Sequence, residues 1–125
     1  MNRETSHKLL LVAALFNWMV GTALIVDAAW LMGLFRVTPL PTEPLFVYLF
    51  AWLVIVFGIG YYWSARDPVA YAPVIRLGVI GKLGVVAVVL LATLQGHTSW
   101  QMNIVSSADL VFAVLFIAVL RRAGT

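Results

Sequence analysis

The chain contains no cysteine, which excludes disulfides, thiolate catalysis and thiolate-held iron–sulfur clusters and leaves the redox compartment open. Charge is scarce as well. Only 10% of the 125 residues are acidic or basic and 63% are hydrophobic, the composition of an integral membrane protein. Histidine occurs only as His7 and His97, neither with a ligand-spaced partner, so no metal site is expected. There is no nucleophile elbow, no phosphate-cradling glycine loop and no His-Glu zinc motif. Gly58-Ile59-Gly60 is not a dinucleotide fingerprint, because it falls in an apolar span with no strand before it. The net charge of +3 comes from basic residues scattered at the ends of apolar runs, which speaks against a nucleic-acid partner. No internal repeat or low-complexity segment stands out.

What the chain does have is four long apolar runs, at residues 8–32, 44–65, 71–94 and 101–120. Each has about the 20 residues needed to cross a ~30 Å hydrocarbon core. The expectation is an all-α fold: one integral membrane four-helix up-down bundle over residues 1–125, multi-pass, in a bacterial inner membrane. The charged start resembles a signal peptide, but the run behind it is too long and lacks a small-residue cleavage site, so the first helix is expected to be retained. Arg3, Lys8, Arg66, Arg121 and Arg122 fall on one side and Arg36 alone on the other, which predicts cytoplasmic termini by the positive-inside rule. Interfacial aromatic belts are expected from Trp63, Tyr61, Tyr62 and Tyr71 inside, and from Trp30, Phe35, Phe46, Tyr48 and Trp100 outside. The proline-rich stretch 38–44 cannot continue a helix, and Pro44 suits a first helical turn. The short turns at 65–69 and 95–99 make the helices they join antiparallel neighbours.

Lys82 and Asp109 stand inside these apolar runs, where a charge costs a few kcal/mol or more and calls for a partner or a function. Counted by helical rise from the inner side, Lys82 lies ~16 Å deep, Asp109 ~18 Å and Asn17 ~14 Å. Three helices thus bring polar groups to one layer near the midplane, with Ser106 and Ser107 within a turn of Asp109. One reading is a structural salt bridge that sets helix register. The others are a proton- or ion-linked site and a polar anchor for an amphiphilic ligand. A Schiff base at Lys82 has only the lysine itself in its favour.

Gly78, Gly81 and Gly84 recur along the third run and Ala14, Gly21 and Ala28 along the first, small residues over which membrane helices pack closely. The alternative reading is that Gly78 and Gly81 clear room for a ligand beside Lys82. Asp27 and Asn103 fall near the outer interface, as surface pairs with Glu43 or Arg36. Arg76 lies within snorkelling reach of the inner headgroups. In the Arg66-Asp67-Pro68 turn, Asp67 is placed to cap the third helix.

Asn17, Gly58-Ile59-Gly60-Tyr61-Tyr62 leading into Ala65-Arg66-Asp67-Pro68, Gly81-Lys82 and Asp109 together resemble small bacterial four-helix membrane proteins of the DoxX-like group. Ser107-Ala108 precedes Asp109 where that group often carries Asn-Asp. The resemblance implies a four-helix fold of unassigned role, set beside other membrane proteins; quinone-coupled sulfur oxidation, linked to DoxX, is not carried over. Small multidrug transporters share the size but work around a first-helix membrane glutamate that this chain lacks, and the first segment of fluoride-channel subunits is missing too. The functional expectation is an accessory or assembly subunit, or a binder of an amphiphilic ligand, around the Lys82–Asp109–Asn17 layer. A proton- or ion-coupled transporter and an enzyme acting on a lipid- or quinone-like substrate are the alternatives. Partners would be membrane lipids and further copies or subunits; no cofactor is expected, with lipid or quinone left open.

Overall fold

A computed structural model describes residues 2–124 and is all-helical: α1 (Arg3–Leu34), α2 (Pro44–Arg66), α3 (Ala72–Leu94) and α4 (Gln101–Arg122). All four are long and apolar enough to cross a membrane, the make-up of a multi-pass membrane protein. Their outward surfaces agree with that: Met19, Val26, Ile80 and Leu94 are each more than two-thirds exposed, a load of apolar surface that water would not tolerate.

α1 starts at Arg3 rather than Lys8. Asn2 caps it, its Oδ1 accepting from Thr5 N at 2.7 Å, and Glu4 pairs with Lys8 one turn on, at 3.1 Å. The 32 residues of α1 would make a straight rod of about 48 Å, longer than a bilayer core. The helix instead breaks at Asp27 (φ −160°, ψ 85°), where the Asp27 carboxylate takes Trp30 N at 3.0 Å and so inserts into the backbone ladder. α1 and α3 end alike at the opposite end of the bundle. After α1, Arg36 N bonds to Gly33 O and Val37 N to Met32 O, both at 3.1 Å; after α3, Gly96 N bonds to Thr93 O and His97 N to Ala92 O. The motif requires a left-handed residue, which is Gly96 (φ 79°) in one case and Arg36 (φ 57°) in the other.

α1 packs along α2 and α3 along α4, and the two hairpins meet over much less backbone. Within the first hairpin, a Cβ at Gly21 would sit 2.5 Å from Ile55 Cγ1 and 3.0 Å from Ala51 O, and one at Gly58 2.6 Å from Trp18 Nε1. Between the hairpins, contact occurs at three levels. At the terminal end, a cluster of Leu10, Ala13, Ala65, Ala72, Ile75, Phe116 and Val119 draws on all four helices. The beginnings of α1 and α3 therefore lie beside the ends of α2 and α4. At the far end, Ser99 N donates to Thr38 O (2.7 Å) and Thr38 N to Ser99 Oγ (2.9 Å). The third level is the polar centre midway.

Of the expected aromatic belts, Trp63, Tyr62 and Tyr71 are exposed, as are Trp30, Phe35, Phe46, Tyr48 and Trp100. Tyr61 is the exception. It is buried, because the missing side chain of Gly78 leaves a pit into which its ring fits: a Cβ there would meet Tyr61 Cε1 at 2.7 Å and Phe116 Cε2 at 3.2 Å.

Candidate functional site

α3 carries Lys82 into the bundle with only 5% of its side chain exposed, in a span where nothing but protein can satisfy its charge. Its Nζ donates to Asp109 Oδ1 at 2.9 Å and, over a longer 3.4 Å, to Asn17 Oδ1. The Asn17 amide in turn donates to Val54 O at 3.0 Å. One hydrogen-bonded chain, Asp109–Lys82–Asn17–Val54, thus runs through α4, α3, α1 and α2 in sequence.

Four rings surround the same ammonium. Its Nζ lies 5.2 Å from the centroid of Phe112, 5.4 Å from Tyr61, 5.6 Å from Phe16 and 6.0 Å from Phe116. Each is within reach of a cation–π attraction, which strengthens where water is excluded. The rings support one another: Tyr61 meets Phe116 edge-on at 4.9 Å and Phe16 lies 5.1 Å from Phe112. Lys82 occupies its own aromatic cage. Asp109 differs, with 23% of its side chain exposed and Lys82 at Oδ1 as its bonded partner.

The Asn17–Val54 bond depends on a neighbouring detail of α2. Gly58, one turn beyond Val54, has no side chain to screen the carbonyls of this stretch from α1. Trp18 Nε1 uses the same opening to reach Ile55 O at 3.2 Å. Two consecutive residues of α1 therefore bond two consecutive carbonyls of α2.

The expected layer of Lys82, Asp109 and Asn17 is thus assembled, but Ser106 and Ser107 are not part of it. Their hydroxyls turn back on their own helix, to Asn103 O and Ile104 O, the nearest acceptors available inside an apolar span. Gly78 offers no room for a ligand, since Tyr61 and Phe116 fill it, and Gly81 and Gly84 face open space rather than a packed neighbour. Asp27 and Asn103 do not meet: Asp27 caps Trp30, while the Asn103 amide donates to Thr93 Oγ1 at 2.8 Å and ties α4 to α3. Asp67 caps the turn, accepting from Ala70 N at 3.1 Å, and α3 itself begins only after Tyr71. Arg66 lines a separate cavity at the terminal end. The four cage rings, Trp18 and the bond from His7 Nδ1 to Ala65 O (2.7 Å) were not foreseen. For two of the rings a signal was there to read: Phe112 and Phe116 lie three and seven residues after Asp109, on one helical face.

Among the described residues no group of three or more His, Asp or Glu converges as a metal site would require. No protein-family model, curated protein or solved structure matches the chain.

Proposed function

We propose that this chain is a structural subunit of a membrane assembly, in which the Lys82 centre locks two helical hairpins into one rigid platform. The observation that carries this reading is the enclosure of Lys82: its donors are directed at Asp109 and Asn17, and its remaining faces at four rings. Two of its three N–H donors go to Asp109 and Asn17, and the third is enclosed by the rings. Two cavities lie beside helix ends, near Asp27 and near Arg66, and neither is lined by Lys82, Asp109 or Asn17.

The partner surface is read from what the fold leaves uncovered. Gly81 and Gly84 open outward on α3, and in a bilayer such a small-residue face favours a neighbouring helix over lipid. The neighbour is a second copy or another membrane subunit, a reading shared with the DoxX-like resemblance. The platform sits in a bacterial inner membrane with both termini cytoplasmic, as the bias of basic residues supports. Because the natural chain has no cysteine, a single Gly84→Cys variant gives a clean cross-linking probe. Disulfide-linked dimers or heterologous adducts in membranes are expected at position 84 and not at Val12, on α1. Monomer at both positions would overturn the assembly reading.

A second reading rests on Asp109, whose carboxylate is partly exposed beside a buried cation, an arrangement compatible with proton-coupled transport. Proton flux into vesicles that disappears in Asp109→Asn would favour it over the structural role.

A further inference from the structure

The terminal end of the bundle holds a feature unconnected with the polar centre. A cavity of about 430 Å³ opens there between the first turn of α1 and the end of α2, lined by Arg3, Glu4, His7, Ala65, Arg66 and Pro68. Neither Arg3 nor Arg66 has a carboxylate partner among the described residues, whereas Glu4 is taken by Lys8 at 3.1 Å. The cavity therefore carries two guanidiniums without a carboxylate partner, and its single acid, Glu4, is paired with Lys8. His7 makes this arrangement stable. Its Nδ1 donates to Ala65 O at 2.7 Å, which pins the first turns of α1 to the last turn of α2 and keeps Arg3 on the same cavity as Arg66.

The geometry points to a binding site for a phosphate-bearing anion, held between Arg3 and Arg66. Guanidinium presents paired donors that match the oxygens of phosphate, and two of them can grip one group from two sides. The level of the cavity matches that of a lipid phosphate. Arg66 closes the 23-residue α2, long enough to span the hydrocarbon, and Trp63 one turn earlier is exposed, its ring tilted against that of Tyr71 with centroids 6.4 Å apart. Exposed Trp and Tyr mark the headgroup region of a bilayer. A basic pocket at that height is suited to an anionic phospholipid headgroup; a free phosphate ion would be held by the same chemistry.

The test uses the full chain in neutral detergent, with bound lipid counted by native mass spectrometry. Dioleoylphosphatidylglycerol should bind more tightly than dioleoylphosphatidylcholine. The pair Arg3→Gln and Arg66→Gln should weaken the anionic lipid by roughly 25-fold, at about fivefold per lost arginine. Arg121→Gln with Arg122→Gln removes as much charge from the same end but outside the cavity, and should weaken it by less than about threefold. Millimolar inorganic phosphate separates the sources: displacement of the lipid assigns the site to free phosphate, and retention of the lipid assigns it to the headgroup. If the glutamine pair does not fold, Arg3→Lys with Arg66→Lys keeps the charge and loses the forked donors, and binding should still fall. The inference is overturned if both pairs of variants weaken binding equally, if the lysine pair binds as the parent does, or if neither lipid nor phosphate depends on Arg3 and Arg66.

Discussion

In the first hairpin the helices approach over small residues, and in both hairpins they bond through local side chains. Gly21 and Gly58 bring α1 against α2, where Trp18 and Asn17 reach the carbonyls of Ile55 and Val54; Asn103 ties α4 to Thr93 of α3. Between the hairpins there is little backbone approach, and the work falls to a few long side chains. Tyr61 crosses from α2 into the Gly78 pit of α3, and Lys82, paired with Asp109 inside its own hairpin, reaches from α3 to Asn17 on α1. The difference is physical. Without a hydrophobic drive in lipid, a seam is held either by close van der Waals contact of backbones or by hydrogen bonds and charge. The first dominates between α1 and α2; the second sets how the two hairpins fit together, because a charge in hydrocarbon tolerates only the arrangement that pairs it.

If this contrast is right, the largest single effect should come from the charge that reaches across the seam between hairpins. Asp109→Leu strands the Lys82 ammonium in its cage and should destabilise by about 3–5 kcal/mol, measured by unfolding in mixed micelles. Next comes steric disruption of the same seam. Gly78→Val must displace Tyr61 and should cost about 1–3 kcal/mol. Gly81→Val, three residues away in open space, should leave monomer stability within about 0.5 kcal/mol. Equal costs at the two glycines would erase the distinction between a filled pit and an outward face. Asn17→Ala serves both seams, since it removes the bond to Val54 and the longer one from Lys82. A loss of about 1 kcal/mol is expected, in the range measured for side-chain bonds between membrane helices.

Much of this organisation was legible in the sequence, for identifiable reasons. Four spans follow from hydropathy and length, and Lys82, Asp109 and Asn17 could be placed in one layer because helical rise converts residue count to depth. Tyr61 was misread because proximity to a helix end suggests an interface, while the pit that receives it lies on another helix, at Gly78. Ser106 and Ser107 were grouped with Asp109 by spacing alone, but a hydroxyl in a dry span finds its own carbonyls first. The break at Asp27 carries no proline or glycine signal; it arises from a side chain that competes with the backbone for Trp30 N. The His7–Ala65 bond joins residues 58 apart, beyond any local pattern.

The smallest predicted effect sits at the far end, where two helices end in the same motif with different residues. Arg36 holds a left-handed conformation that Gly96 adopts without a Cβ penalty. Arg36→Gly should therefore stabilise the chain, by about 1 kcal/mol or less, seen as a small rise in Tm. Gly96→Ala should shift it the other way.

A double-mutant cycle on Lys82 and Asp109 bears most directly on the claim that Asp109, within the second hairpin, sustains the buried charge with which Lys82 reaches Asn17 of the first. Lys82→Met and Asp109→Leu alone should each cost about 3–5 kcal/mol, while the double variant, apolar at both positions, should recover most of that loss, giving a coupling of at least about 3 kcal/mol. Additive costs, or single variants as stable as the parent, would contradict it.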